Sequence, residues 1–194
     1  SASLVGSEMC IRDRNYPEVV AKYSEYLKLT NYEDESRIFN CAFAAYNAKK
    51  YDDAIKFYDM AIQKGYKADD AYVGKAMSLR SQDKAADFTA TVEAGLKANA
   101  QNANLEKLLY AYCMKKGQAA QKAGKTEEAE ENFKKVIPLN HKTYKTNALY
   151  SLGVLCYNDG ANILKKAAPL ANSDADKYLS LIHISEPTRL ALIS

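Results

Sequence analysis

Between residues 15 and 178 the apolar positions recur three and four residues apart, in helix-length runs separated by short polar breaks. Shifting the chain by 34 residues lays one double run on the next. Ile38 falls on Tyr72, Ala42 on Ala76 and Ala45 on Leu79, and then Tyr58 on Val92, Ala61 on Gly95 and Ile62 on Leu96. One pair, Ala54 with Phe88, exchanges small for large. A third copy comes after a further 41 residues, with Cys113, Gly117, Ala120, Ala129, Phe133, Val136 and Ile137 in the same slots. Seven extra residues are about two helical turns. They predict a longer first helix in that copy, starting near Asn104 as N-cap and running through Leu105, Leu108, Leu109 and Tyr112 with its apolar phase intact.

Two incomplete copies flank the three. Leu149, Gly153 and Cys156 take the slots of Ile38, Ala42 and Ala45, but the second half of that copy does not align. Ile163, Leu164, Ala167 and Ala168 still predict a helix, ended or kinked by Pro169. Val19, Tyr23, Tyr26 and Leu27 lie 35 residues ahead of Ala54, Tyr58, Ala61 and Ile62, so a lone second helix precedes the first full copy, with Pro17 in its first turn. The expected organisation is a half repeat at 15–30, repeats at 36–68, 70–102 and 104–140, and a partial repeat at 146–178. A period of this length means that one helix pair cannot bury its apolar face alone and stacks on the next.

The two ends read differently. Residues 4–13 are LVGSEMCIRD, and a legal back-translation of them, reverse-complemented and read one base in, encodes SLIHISEPTR, the string at residues 180–189. The ends are thus compatible with one inverted DNA repeat that resembles the transposase adapter of sequencing libraries. Residues 1–14 and 179–194 are therefore expected to lie outside the fold, and the chain to be a fragment of its gene product. That removes Cys10 and His183 from any candidate site.

The small residue at Ala42, followed by Tyr51, Ala54, Tyr58 and Ala61 in the segment YDDAIKFYDMAI, resembles the tetratricopeptide repeat, and the resemblance covers nearly all of residues 15–178. Two antiparallel helices cross closely only where small side chains meet, and aromatic side chains fill the space between. The chain departs from the family in having no Trp, in placing Tyr66 and Ala100 where the family usually has Pro, and in Phe88 replacing a small residue. The resemblance implies an all-α solenoid of antiparallel helix pairs wound as a right-handed superhelix. It also implies a non-catalytic protein-interaction scaffold that takes a peptide or a helix in a concave groove lined by the first helix of each pair.

Carried across slot by slot, the family's groove positions fall on Phe39, Phe43 and Tyr46, then Val73, Met77 and Arg80, then Met114, Gln118 and Gln121, and finally Tyr150, Val154 and Tyr157. Family members that clamp the C-terminal carboxylate of heat-shock chaperones use Lys and Asn on adjacent turns, where this chain has Phe39 and Phe43; that activity is not expected. Aromatic and Met side chains favour an apolar peptide or an amphipathic helix. The alternatives are a structural or self-assembly module, and a docking arm of a larger multidomain protein. A stack cut within its last pair is also expected to fray or self-associate at its C-terminal end.

Composition narrows the chemistry. With 47% hydrophobic and 26% charged residues the balance is globular. The net charge of +3 comes from 27 basic and 24 acidic residues spread along the chain, without the basic block that tracks phosphates, so nucleic acid is not an expected partner. No apolar run reaches membrane-spanning length. Cys41, Cys113 and Cys156 fall in core-facing slots with no close pair, and His141 is the only histidine of the repeat region, so neither a zinc site nor a redox pair is expected. Core thiols suit a reducing cytoplasm, yet buried thiols also persist in exported proteins. The acidic clusters at Glu33–Glu35 and at Glu127, Glu128, Glu130 and Glu131 stand where helices begin and favourably meet the helix dipole. No phosphate loop, nucleophile elbow or metal-binding helix motif occurs, so neither a cofactor nor catalysis is expected.

Overall fold

The computed structural model describes residues 15–171, 173–174 and 176–182 of the 194. Among these residues the secondary structure is helical, without a strand. The helices are α1 (Tyr16–Leu29), α2 (Glu35–Asn47), α3 (Tyr51–Lys64), α4 (Ala68–Ser81), α5 (Ala85–Ala98), α6 (Ala103–Lys122), α7 (Thr126–Lys134) and α8 (Lys142–Ala167), with a 3-10 turn at Ala168–Leu170. Residues 176–182 are also helical. The adapter-like ends, with Cys10 and His183, lie outside the described residues apart from 179–182. The chain forms two compact units, Ser1–Lys107 and Leu108–Ser194, the boundary falling within α6.

In the first unit each helix packs on the next, from α1 through α5, and α2 also touches α4. The core is built at the repeat slots. Ile38, Ala42 and Ala45 of α2 are buried with Ala54, Tyr58 and Ala61 of α3, and Ala76 and Leu79 of α4 are buried with Phe88, Val92 and Gly95 of α5. Where α3 meets α4, Gly74 lies under the Tyr58 ring. The second unit repeats the scheme with Gly117 of α6 against the Phe133 ring of α7.

The turn joining the two helices of a pair is the same structure three times. Lys49, Asp83 and Gly124 are left-handed, at φ 59°, 56° and 74°. The next amide along, of Lys50, Lys84 or Lys125, donates back to the carbonyl of Ala45, Leu79 or Ala120 at 2.9, 3.1 and 2.9 Å. This is the Schellman closure, which satisfies carbonyls that the helix end leaves without a partner. It leaves the next helix to start at a lysine without a side-chain cap. By contrast, α2 starts at Asp34, whose Oδ1 accepts from the Arg37 amide at 3.0 Å.

Two details differ from the sequence expectation. The cap of α6 is Asn102 rather than Asn104: Asn102 Oδ1 accepts from the Leu105 amide at 3.2 Å, and its Nδ2 donates to the Asp69 carbonyl at 3.2 Å. The buried side chain of Asn102 thus holds two segments of the first unit at once. In the second unit α7 is only 9 residues long. Pro138 has no amide to donate and crowds the carbonyl four residues earlier, that of Lys134, where the helix stops.

The C-terminal helix departs further. α8 runs 26 residues without a break, so no turn separates a first from a second helix before Ala167. It packs on α7, and Ala148, Leu152 and Leu155 are among its buried residues. These take the slots of Arg37, Cys41 and Ala44, the face of α2 that meets the preceding helix, as the approach of Cys41 Sγ to Ser24 Oγ of α1 at 3.7 Å shows. The residues expected in the core, Leu149, Gly153 and Cys156, are instead exposed, exposed and half-buried. Gly153 shares its slot with Gly117 of α6, which lies against Phe133 of that pair's second helix.

Candidate functional site

In the first unit the groove positions sit on α2 and α4, neighbouring first helices. Phe43 is 46% exposed, Arg80 is exposed, and Tyr46, Val73 and Met77 are half-buried. Helical spacing explains the strip, because positions four and then three residues apart share one face, adjacent to the slots that enter the core.

Phe39 is less available than its slot implies. Its ring meets Tyr58 and Tyr66 edge-on, at centroid distances of 5.8 and 6.2 Å, and Lys67 Nζ lies 5.3 Å above it. Such edge-to-face and cation-π contacts make Phe39 a brace between α2 and the α3–α4 turn. Phe43 is more open, with an edge contact to Tyr16 of α1 at 6.4 Å, and Tyr46 leans on Tyr51 at 5.8 Å.

In the second unit Gln118 is exposed and Gln121 half-buried on α6, while Met114 is 8% exposed and belongs to the core. Met114 therefore offers no contact surface, a correction to the slot-by-slot reading. Tyr150 and Tyr157 are 74% and 73% exposed on α8, with Val154 half-buried between them. Nearby, Tyr144 is stacked between Tyr110 and His141, at centroid distances of 4.1 and 3.9 Å, and Asn147 Nδ2 donates to Tyr110 Oη at 2.8 Å. Sequence spacing does not announce this ladder, because its members come from two helices and a loop.

A concavity of the first unit, about 490 Å³, opens between α3, α4 and α5 over a floor that includes Ile55, Ile62, Tyr72 and Leu79. On its rim Lys75 pairs with Asp59 at 2.7 Å and Lys84 with Asp52 at 3.6 Å, and Asp87 adds a further carboxylate. Gln82 Nε2 also donates to Asp52 at 2.8 Å and, ahead of Lys84, lowers the Asp52 carboxyl below its ordinary range.

Burial pushes the Cys41 thiol up to about 11 and raises the Tyr58 phenol, which keeps both neutral. Among the described residues no cluster of His, Cys, Asp and Glu could hold a metal ion, and no helix is long and apolar enough to cross a membrane.

No family model matches the chain, and no curated protein does. Among solved structures, a TPR repeat protein from Bacteroides fragilis NCTC 9343 is 44% identical over 93% of this chain and 81% of that one, with a TM-score of 0.86. The apo form of a quorum sensor from B. thuringiensis is 15% identical, over 92% of this chain and 55% of that one, with a TM-score of 0.44. The C-terminal part of a TPR repeat-containing protein from Cytophaga hutchinsonii is also 15% identical, over 96% of both chains, with a TM-score of 0.40. With the B. fragilis protein so similar over most of both lengths, and with three like turns and a shared set of core slots, the chain belongs to the tetratricopeptide repeat family.

Proposed function

We propose that the chain is a non-catalytic protein-interaction scaffold, and that the α2–α4 face takes an apolar peptide or one side of an amphipathic helix. The observation that carries this reading is the strip of Phe43, Val73 and Met77 beside the exposed Arg80, on two helices that touch. An exposed aromatic and a thioether supply large contact area and adapt to the shape of a guest, and Arg80 adds a fixed positive charge that selects its orientation. The neutral buried groups of the core contribute rigidity: a guest meets a surface that is already formed, so little binding energy goes into ordering the host.

Selection of ligands from a random peptide library tests the proposal. Peptides recovered on the wild-type chain are expected to carry two or more large apolar residues at helical or extended spacing. Their affinity should fall at least tenfold on Met77→Glu, which places an unmatched charge in the strip, and stay within about twofold on Lys64→Ala, which lies on an exposed part of α3. Equal binding to the wild-type and Met77→Glu chains would move the site elsewhere.

A further inference from the structure

We infer that the cleft between α3, α4 and α5 is a further docking site, and that its occupant is an extended peptide segment with one basic side chain followed by apolar side chains at alternate positions. The cleft lies wholly within the first unit and shares no lining residue with the α2–α4 face. Its α4 positions, Tyr72, Lys75 and Leu79, stand roughly 130° around the helix axis from Val73, Met77 and Arg80. A guest in one site therefore leaves the other open.

Polar and apolar side chains alternate along the cleft. Asp52 accepts from Gln82 and Asp59 pairs with Lys75, an antiparallel register of α3 on α4 that sets Ile55 level with Leu79 and Ile62 level with Tyr72. The second helix of the next pair, α5, runs parallel to α3 and brings Asp87, in its first turn, to the Asp52 end, where Lys84 also lies. From Asp52 to Ile62 the α3 stripe runs about 15 Å. Extended chain covers that length in about five residues, and its alternate side chains share one face at a spacing of about 6.6 Å. A helix would instead fill at least about 1,200 Å³ over the same length. Even half of that exceeds the cleft of about 490 Å³, so the shape selects the extended form.

Charge selects the side chain at the Asp52 end. The rim carries the carboxylates of Asp52, Asp59 and Asp87 against the ammonium groups of Lys75 and Lys84. Asp59 and Lys75 satisfy each other at 2.7 Å, which leaves Lys84, 3.6 Å from Asp52, to balance two carboxylates. Asp87 is exposed and has no hydrogen-bond or ion-pair partner among the described residues, and the Asp52 side chain is 83% exposed. A guest cation completes the balance, and a guanidinium, whose planar fork matches a carboxylate, fits best.

The probe is the peptide acetyl-Arg-Ser-Leu-Ser-Leu-amide, titrated into the full chain at low salt and followed by amide chemical shifts. The expected result is shifts centred on Ile55, Ile62, Tyr72 and Leu79, with a dissociation constant that rises at least about fivefold when the Arg of the probe is replaced by Glu. Asp87→Lys should abolish that preference and leave the far-ultraviolet spectrum unchanged, because Asp87 is exposed. Met77→Glu should change probe binding by less than about twofold, since the α2–α4 face and the cleft are separate. No binding at millimolar probe, equal binding of the Arg and Glu peptides, or shifts at Val73 and Met77 in place of the cleft would overturn the inference.

Discussion

The Tyr58 ring on α3 lies so close over Gly74 of α4 that a Cβ at Gly74 would stand 2.6 Å from Tyr58 Cε1, well inside contact distance. Tyr58 is buried between two helix pairs, so the ring has little room to withdraw. Gly74→Ala should therefore destabilise the chain by about 1–2 kcal/mol in urea unfolding, the overpacking cost exceeding the helix-propensity gain. Gly153→Ala, in open space, should instead stabilise dilute protein by up to about 1 kcal/mol. Opposite signs for two helical glycines are the signature of a close approach at one and an empty slot at the other.

The repeated turn provides a second comparison. Lys49 and Asp83 hold the left-handed conformation that Gly124 adopts without steric penalty. Lys49→Gly and Asp83→Gly should each change stability favourably by roughly 0.5–1 kcal/mol, while Gly124→Ala should cost about 1 kcal/mol. Thermal melts of the three variants check it, and equal effects of either sign at all three would contradict the shared geometry.

The core is largely legible in the repeats, and the ends of elements are not. Ala54, Tyr58 and Ala61, and their counterparts through Phe133 and Val136, recur because every pair must solve the same crossing, so a fixed period marks them. Asn102 escapes because both Asn102 and Asn104 precede an apolar run, and only the folded chain shows that Asn102 also reaches the Asp69 carbonyl. The period puts Leu149 and Cys156 in the core only by assuming a second helix, which α8 does not supply. Met114 and Phe39 fall in the groove by slot alone. Whether a slot stays open depends on neighbours such as Tyr66 and Lys67 that no repeat period reports.

The cysteines test those assignments. Cys41 and Cys113 are buried and Cys156 is half-buried. In a chain with Cys10 replaced by Ser, a thiol reagent should label Cys156 in the native state, and label Cys41 and Cys113 only as fast as the chain opens. Mass spectrometry of labelled peptides reads the order. Rapid native labelling of Cys113 would show that the slot shared with Ile38 and Tyr72 is not core in the second unit.

Alkaline pH should weaken the fold in a defined window. Burial holds the Cys41 thiol protonated up to about 11, whereas in the unfolded chain a thiol titrates near 8.5. The unfolded chain loses this proton first, so the stability from Cys41 is complete below about pH 8.5 and is lost as pH rises through 11. The loss is on the order of 3 kcal/mol, with the buried Tyr58 phenol adding to it above its own ordinary value. Urea midpoints for wild-type and Cys41→Ala chains between pH 8 and 11 separate the two groups, because the variant should lose the earlier part of the decline.

Mapping a selected peptide by amide hydrogen exchange tests whether a partner peptide binds the α2–α4 face. The predicted result is added protection at residues 39–46 of α2 and 73–80 of α4, with little change on the exposed faces of α3 and α5. Protection confined to the cleft between α3 and α5, or to α8, would contradict the claim and place recognition on another surface of the scaffold.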